Sequence, residues 1–386
     1  MIEIKEVKTA KQRKLFVDFP TKLYKGVKQY VHPLRSSELE LFNPKKNVSF
    51  EDCEAVYFLA YKDGELVGRI AGIIQRLYNK KVNEKRVRFT RFDCINDKEV
   101  AKALFESVEN WARQKGMNIV HGPMGFNDLD REGMLIEGFD EIATFEEAYN
   151  YEYYKDLMEY CGYSKEIDWI EFKLTIPEQI DPKINAIADA VMKKYHLKNA
   201  EKKSKSAFIR RYRKDIFHLL DEAYGPLYGV VPYTDKVRDQ VIDQFRLFIS
   251  LDFMSVIVDE NDEVIAFGFG IPSLSEVINK YEGKLNLKSI FPLLKAIKHP
   301  IELDLALIAV KPQWQSRGVP ALIIREMLSS FIKRGIQTCE TNLNLENNVH
   351  IQQLWKHFEH RQHKRRRSWI KRLDEESTLE QANEDK

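Results

Sequence analysis

The sequence predicts an α/β protein with mixed sheets, built as two tandem units of one fold. Three observations predict it. At 386 residues the chain is longer than one hydrophobic core usually fills, so two or three domains are expected. The segment KLTIPEQIDPKI, residues 173–184, carries Pro177 and Pro182, which interrupt helix and strand alike and mark a boundary. On either side of it the same series can be read: hairpin, strand, helix, strand, helix, strand. Domains are therefore expected at 1–176 and 177–373, followed by an acidic, apolar-poor tail at 374–386 expected to be disordered.

The elements follow in order. AVYFLAYKDGELVGRIAGII holds two β-rich runs around Lys62, Asp63 and Gly64, a hairpin signal. KRVRFTRFDCI is a further strand leading into NDKEVAKALFESVENWARQKG. There Asn96 and Glu99 give a capping-box-like start, Val100, Leu104, Val108 and Trp111 line one helical face, and Gly116 ends the helix. MNIVHG reads as a strand, then come a glycine-rich loop, the aromatic helix EEAYNYEYYKDLMEYCG and the strand EIDWIEFKL. In the second half SVIVDENDEVIAFGFGI is a hairpin turning near Asn261 and Asp262, and IELDLALIAV is a strand. PALIIREMLSSFIKRG is a helix whose Ile323, Ile324, Met327, Leu328 and Phe331 form an apolar stripe. QTCETNLNL, the helix NNVHIQQLWKHF and the strand HKRRRSWIKRL complete the series. Internal duplication explains this better than coincidence.

Composition is that of a globular protein, 44% hydrophobic and 31% charged, and 61 basic residues nearly cancel 59 acidic ones. Global charge therefore points to neither nucleic acid nor membrane. Cys53, Cys94, Cys161 and Cys339 are dispersed, without C-x-x-C pairs or histidines at zinc spacing, so reduced buried thiols and no metal are expected. The N-terminus has no signal-peptide core, and no run of about 18 apolar residues occurs. A cytoplasmic location is the simplest expectation.

The stretch VKPQWQSRGVPALIIREML, Val310 to Leu328, runs from a strand straight into a helix. Such a junction leaves the first helix amides without intrahelical partners, and with the helix dipole they form an anion site suited to phosphate. Gly318 lets the backbone approach a ligand, Pro320 suits an early helix position, and Arg317 adds a charge-assisted contact. Glycine followed closely by proline is also ordinary turn chemistry.

Val310-x-Pro312-x-x-Gln315-x-x-Gly318 resembles the V-x-P-x-x-[QR]-x-x-G-x-[GA] signature of the GNAT acyltransferase superfamily. Asn348, Ile351 and Leu354 are similar to the helix that follows in such proteins. Over nearly the whole chain the sequence also resembles bacterial tandem-GNAT proteins, through FPTKLYKGVKQYVHPL, FLAYKDGELVGRIAGI, GPMGFNDLDREGMLIEGFDE and YNYEYYKDLMEYCGYSKEIDW. The resemblance implies acetyl coenzyme A as co-substrate, with Val310, Gln315, Ser316, Arg317, Gly318, Val319, Ala321 and Asn348 around it. It also implies a strand N–H near Ile308 to Val310 as donor to the thioester carbonyl. Pro320 and Trp355 depart from the pattern. The family's tyrosine at the latter place often protonates the departing thiolate. The first half lacks the signature, and Asp93, Asp97 and Glu99 at its junction would repel a diphosphate.

The resemblance implies direct attack of an amine on the thioester, which needs a proton acceptor. Glu302 and Asp304 lie two apart on one strand face, and Asp304 is six residues before Val310, where histone-acetylating members carry a glutamate base. Asp304 is the expected base or water-holder, with solvation at the strand's start as the plainer alternative. The loop with Gly122, Gly125, Gly133, Gly138, Asp128, Asp130, Arg131 and Glu132 suggests a cover over a cleft that grips an amine, or a structured connector. Tyr149, Tyr151, Tyr153, Tyr154 and Tyr160 are expected mostly as packing. His32 and His121 are expected in turn or cap roles.

The basic clusters 202–214 and 363–372 mix arginine with aromatics. They raise a FemABX-like alternative that draws aminoacyl groups from transfer RNA, although exposed faces of a strand and a helix are the plainer reading and nucleic acid is not the expected partner. A non-catalytic ligand-binding protein of this fold is the third reading. The acceptor is expected to be a small molecule or peptide bearing an amine.

Overall fold

The computed structural model describes residues 1–373; the acidic tail lies outside them. The chain divides into two compact units. One comprises residues 1–169, 275–289 and 364–373, and the other 170–274 and 290–363. Each unit is therefore completed by segments from the other half of the sequence.

In the first unit the strands Ile2–Glu6, Cys53–Lys62, Glu65–Gln75 and Arg86–Cys94 run antiparallel in that order. The Ile119–Gly122 strand then adds in parallel to Arg86–Cys94. Asp63 and Gly64 both take positive φ, 52° and 85°, and join the long hairpin with Lys62 opposite Glu65. That double left-handed turn matches the twist of the strands, which explains the Asp-Gly pair. Beyond Ile119–Gly122 the sheet continues with the end of the Glu359–Arg372 strand, Trp369 opposite Gly122.

The Lys98–Gln114 helix covers one sheet face with Val100, Leu104, Phe105, Val108 and Ala112. Its N-cap is Asp97, whose carboxylate accepts from the Glu99 and Val100 amides at 3.0 and 3.2 Å, and not the Asn96 expected from the sequence. The opposite face is covered by Phe16 and Val17 of the Ala10–Leu23 helix with Phe42 and Phe126. The tyrosine-rich stretch is helical only over Tyr154–Tyr160. Before it, Asn150 uses its side-chain amide to pair with both backbone groups of Leu135, at 2.7 and 3.0 Å, which holds this segment out of a helix.

The second unit repeats the plan. Lys198–Asn199, Met254–Val258, Val264–Pro272 and Glu302–Val310 are antiparallel neighbours, and Thr338–Thr341 is parallel to Glu302–Val310. Its outer partner is the end of the Ser164–Thr175 strand, Thr338 opposite Thr175. Leu303, Cys339 and Leu174 pack beneath the helices Pro182–Tyr195 and Val319–Arg334, through Ala188, Leu322, Ile323 and Phe331. Alternate residues of these strands, Glu302, Asp304, Glu340 and Glu171, point to the other face, since side chains alternate along a strand. All four cysteines are buried free thiols. Among the described residues no helix is long and apolar enough to cross a membrane.

Candidate active site

The strand-to-helix junction is built from its own side chains. After Val310 a 3-10 turn spans Pro312–Arg317, and Gly318 at φ 79° redirects the chain into the Val319–Arg334 helix. The Gln315 side-chain amide donates to the Val310 carbonyl at 3.2 Å, and the Trp314 amide donates to the Lys311 carbonyl at 2.8 Å. Gln315 thus folds the loop. Trp314 packs edge-on against Tyr195, and the Arg317 guanidinium lies over both rings at 5.0 and 5.7 Å. Ser316 and Arg317 are exposed.

Gly318 is required by the fold itself. A Cβ there would sit 2.9 Å from a Val191 methyl, on a backbone conformation that side chains rarely adopt. The close approach the sequence assigned to a ligand is therefore made first by the neighbouring helix.

No side chain caps the Val319–Arg334 helix. Pro320 brings no N–H, and the Ala321 amide turns back to the Gly318 carbonyl at 3.1 Å. The corresponding helix of the first unit has its N-terminus filled by Asp97. Where one unit supplies an anion of its own, the other leaves the positive helix end open. Asn348 does not belong to this loop: it caps the Val349–Trp355 helix, accepting from Ile351 at 3.4 Å.

The strand before the loop is open on one edge. Glu302–Leu305 pairs with Thr338–Thr341, and the Asn342 amide and side chain then reach the Leu305 and Ala306 carbonyls, both at 3.1 Å. Past that point the two strands part. On its other edge the strand carries a bulge at Ala306, because Phe269 pairs with Leu307 and Gly270 with Leu305. On the open edge the Tyr224 hydroxyl donates to the Ile308 carbonyl at 2.9 Å and accepts from the Ile308 amide at 3.2 Å. The residues Leu305 to Ile308 are only half-buried, whereas Leu303, Ala309 and Val310 are buried.

Asp304 is buried, 6% exposed, and stands opposite Glu340 in the parallel register, where the strands begin to separate. The solvated alternative does not hold for it. Glu302 is half-exposed and pairs with Lys173 at 2.7 Å. Glu340 approaches His363 at 3.4 Å, and Glu171 joins them; the three place ligand atoms within 4.8 Å of one another, all buried. Sequence reading missed Glu171, Glu340, His363 and Tyr224. A signal for Glu340 lay in the alternation of TCET, which sets it opposite in facing to the apolar Cys339. Trp355 is buried and donates to Asn344 at 3.0 Å, so it replaces the tyrosine as a packing group.

The first unit's loop is tied by charge to the strand and helix beside it. Asp130 accepts from Arg91 at 2.7 Å, and Arg91 forks onto Glu38 at 2.8 and 3.1 Å. Burial pushes the Glu38 carboxyl up, yet the Arg91 guanidinium outweighs it and holds it at about 2. Burial raises Glu132 well above the usual carboxylate range, with Asp128 adding to it. His121 is fully buried, 3.2 Å from Glu166, rather than a turn residue.

The basic clusters are largely spoken for. Lys364 and Arg366 are buried, Arg367 binds Asp168 at 2.8 and 3.0 Å, and Lys371 binds Glu109 at 2.8 and 2.9 Å. Arg211 pairs with Asp215 and Asp262, and Arg213 with Asp239. The 363–372 run is therefore not a row of free cations laid out for a polyanion.

No protein-family model matches the chain. It is 25% identical over 370 residues to Protein YghO of Escherichia coli K12, covering 93% of each chain. It is 26% identical over 289 residues to the bacterial ceramide synthase of Caulobacter vibrioides, covering 72% of each. A tandem GNAT protein from the clavulanic acid biosynthesis pathway, solved without acetyl coenzyme A, superposes with a TM-score of 0.57 at 10% identity, over 96% of this chain and 98% of that one. At that identity the likeness is one of fold, and the fold of this chain is a tandem GNAT fold.

Proposed function

We propose that the chain is an N-acyltransferase that moves an acyl group from a coenzyme A thioester to an amine, with the chemistry in the second unit. The observation that carries this reading is the uncapped start of the Val319–Arg334 helix at the end of a strand that has lost its neighbour. A helix N-terminus without its own cap favours a diphosphate, and a strand edge with no partner strand at Ile308 can turn its backbone donor and acceptor to the amide-bearing pantetheine arm once the Tyr224 hydroxyl gives way.

In this reading Ser316, Arg317 and the amides around Gly318 and Val319 hold the diphosphate. Val310 and Ile308 border the arm, and Ala321 packs behind the loop. Gln315 acts by shaping the loop, and Asn348 only by starting the next helix. The attacking amine must lose a proton as the amide forms and the thiolate leaves. Asp304 takes that proton, with Glu340 beside it on the next strand. Glu302 is committed to Lys173 and serves at most to set the charge of the row.

The name of the Caulobacter relative supports acylation of an amine. A ceramide is an amide of a long-chain amino alcohol, so a lipophilic amine is the acceptor class to try first. Burial of Lys364 and Arg366 and the pairing of Arg367 and Lys371 weigh against the transfer RNA alternative at the second cluster. The test is thiol release from acyl coenzyme A of several chain lengths, with and without a panel of amines. Amine-dependent release that Asp304→Asn suppresses supports the reading. Absence of release with any pair counts against it.

A further inference from the structure

The Leu287–Lys298 helix, LKSIFPLLKAIK, is apolar on two sides. Ser289 and Leu293 are its buried side. Leu287, Phe291 and Leu294 follow at i, i+4 and i+7, so they share the opposite face. They are 86%, 73% and 42% exposed. Leu285 and Ile301 flank the helix, also exposed. Isolated exposed apolar residues are ordinary, but a helical face of three with two more beside it is not.

Charge says what meets this face. Between Gly283 and Ile301 the sequence holds Lys284, Lys288, Lys295, Lys298 and His299, and no aspartate or glutamate. Lys288, Lys295 and Lys298 are exposed along the helix that carries the apolar residues. A twofold contact with a second copy would bring like charges together, since the same patch meets itself in an isologous dimer. An anionic lipid surface accepts both features at once. The apolar side chains enter the boundary between headgroups and acyl chains, and the lysines extend along it to the phosphates.

We propose that the Leu287–Lys298 helix is an interfacial anchor that binds the chain to anionic membranes, lying in the surface rather than crossing it. The inference does not depend on the acyltransferase reading, because it uses none of the residues of that site.

The test is flotation of the full chain with two sets of vesicles, phosphatidylcholine doped with phosphatidylglycerol and phosphatidylcholine alone. The expected result is binding to the anionic vesicles, weakened by salt and much reduced on the zwitterionic ones. The doubly substituted Leu287→Ser/Phe291→Ser protein should lose binding by about tenfold or more, since the affinity scales with buried apolar area. Lys288→Gln/Lys295→Gln should abolish the preference for anionic lipid. All of these positions are exposed, so thermal melting should be unchanged, and the second pair of substitutions gives an independent reading if the first pair disturbs folding. Failure of the native chain to float, or equal flotation of the Leu287→Ser/Phe291→Ser protein, overturns the proposal. So does a native dimer in sedimentation velocity that those serines dissociate, for then the face belongs to a second copy.

Discussion

The Tyr224 hydroxyl closes the open edge of the central strand at Ile308, 2.9 Å from its carbonyl oxygen and 3.2 Å from its amide nitrogen. Ile308 begins the stretch, Ile308 to Val310, whose backbone the resemblance offers to the co-substrate. In the free protein the Ile308 backbone is already satisfied, so binding must displace the tyrosine. Tyr224→Phe removes a hydrogen-bonded competitor whose net worth is about 1 kcal/mol. Affinity for coenzyme A should therefore rise by roughly fivefold. Calorimetric titration checks it, and an unchanged or weakened affinity means the edge is not used.

Asp304→Asn keeps the shape of a buried side chain and removes its basicity. With Asp304 as proton acceptor, kcat should fall by about 10²-fold or more, while the dissociation constant for coenzyme A stays within a factor of about two. Glu302→Gln, which breaks a half-exposed pair with Lys173, should change kcat far less. Equal losses for the two variants would remove Asp304 from that role.

Asp97→Ala uncaps the first unit's helix and should cost about 1 kcal/mol of stability in urea unfolding. Coenzyme A affinity should not change, because the first unit's junction carries no anion site in this account. Tighter binding of coenzyme A by this variant would show that the cap alone was keeping the ligand out of that unit.

Burial pushes the Glu146 carboxyl up to about 7 from an ordinary 4.5, Arg131 opposing and Asp130 adding to the rise. The folded chain then keeps a proton there that an unfolded chain releases. Between about pH 4.5 and 7 the unfolded state binds fewer protons, so stability is greatest below that window and falls as pH rises through it. Glu146→Gln should flatten this decline and leave the protein more resistant to urea above pH 7. Denaturation midpoints at the two ends of the window measure it.

Much of the fold was legible because local chemistry agreed with it. Asp63-Gly64 specified a hairpin, the stripe from Ile323 to Phe331 specified a helix face, and the duplicated order of elements carried through. What could not be read was long-range. Arg366 and Trp369 sit in a run that reads as a basic strand, yet both are buried, because residues 364–372 complete the first unit's sheet. Nothing in a local window distinguishes a snorkelling arginine from one held by Glu147 or Asp168.

The candidate site was legible in one segment and hidden elsewhere. Val310 to Val319 stood out because a single loop carries the pattern. Tyr224 comes from a helix that ends 78 residues before Glu302 begins the strand, and only the fold brings it to Ile308. Whole-chain charge and the search for a spanning run do not bear on a twelve-residue helix, which under the proposal above would only lie flat on a surface.

Whether the start of the Val319–Arg334 helix receives a diphosphate is decided by calorimetric titration of coenzyme A into the native chain and into Ser316→Glu. Ser316 is exposed, unlike Gly318 against Val191, so the variant should fold and differ by one negative charge at the loop. Binding to the native chain should be saturable, and weakened about tenfold or more in the variant by repulsion at close range. No binding to the native chain, or equal binding by both, would contradict it.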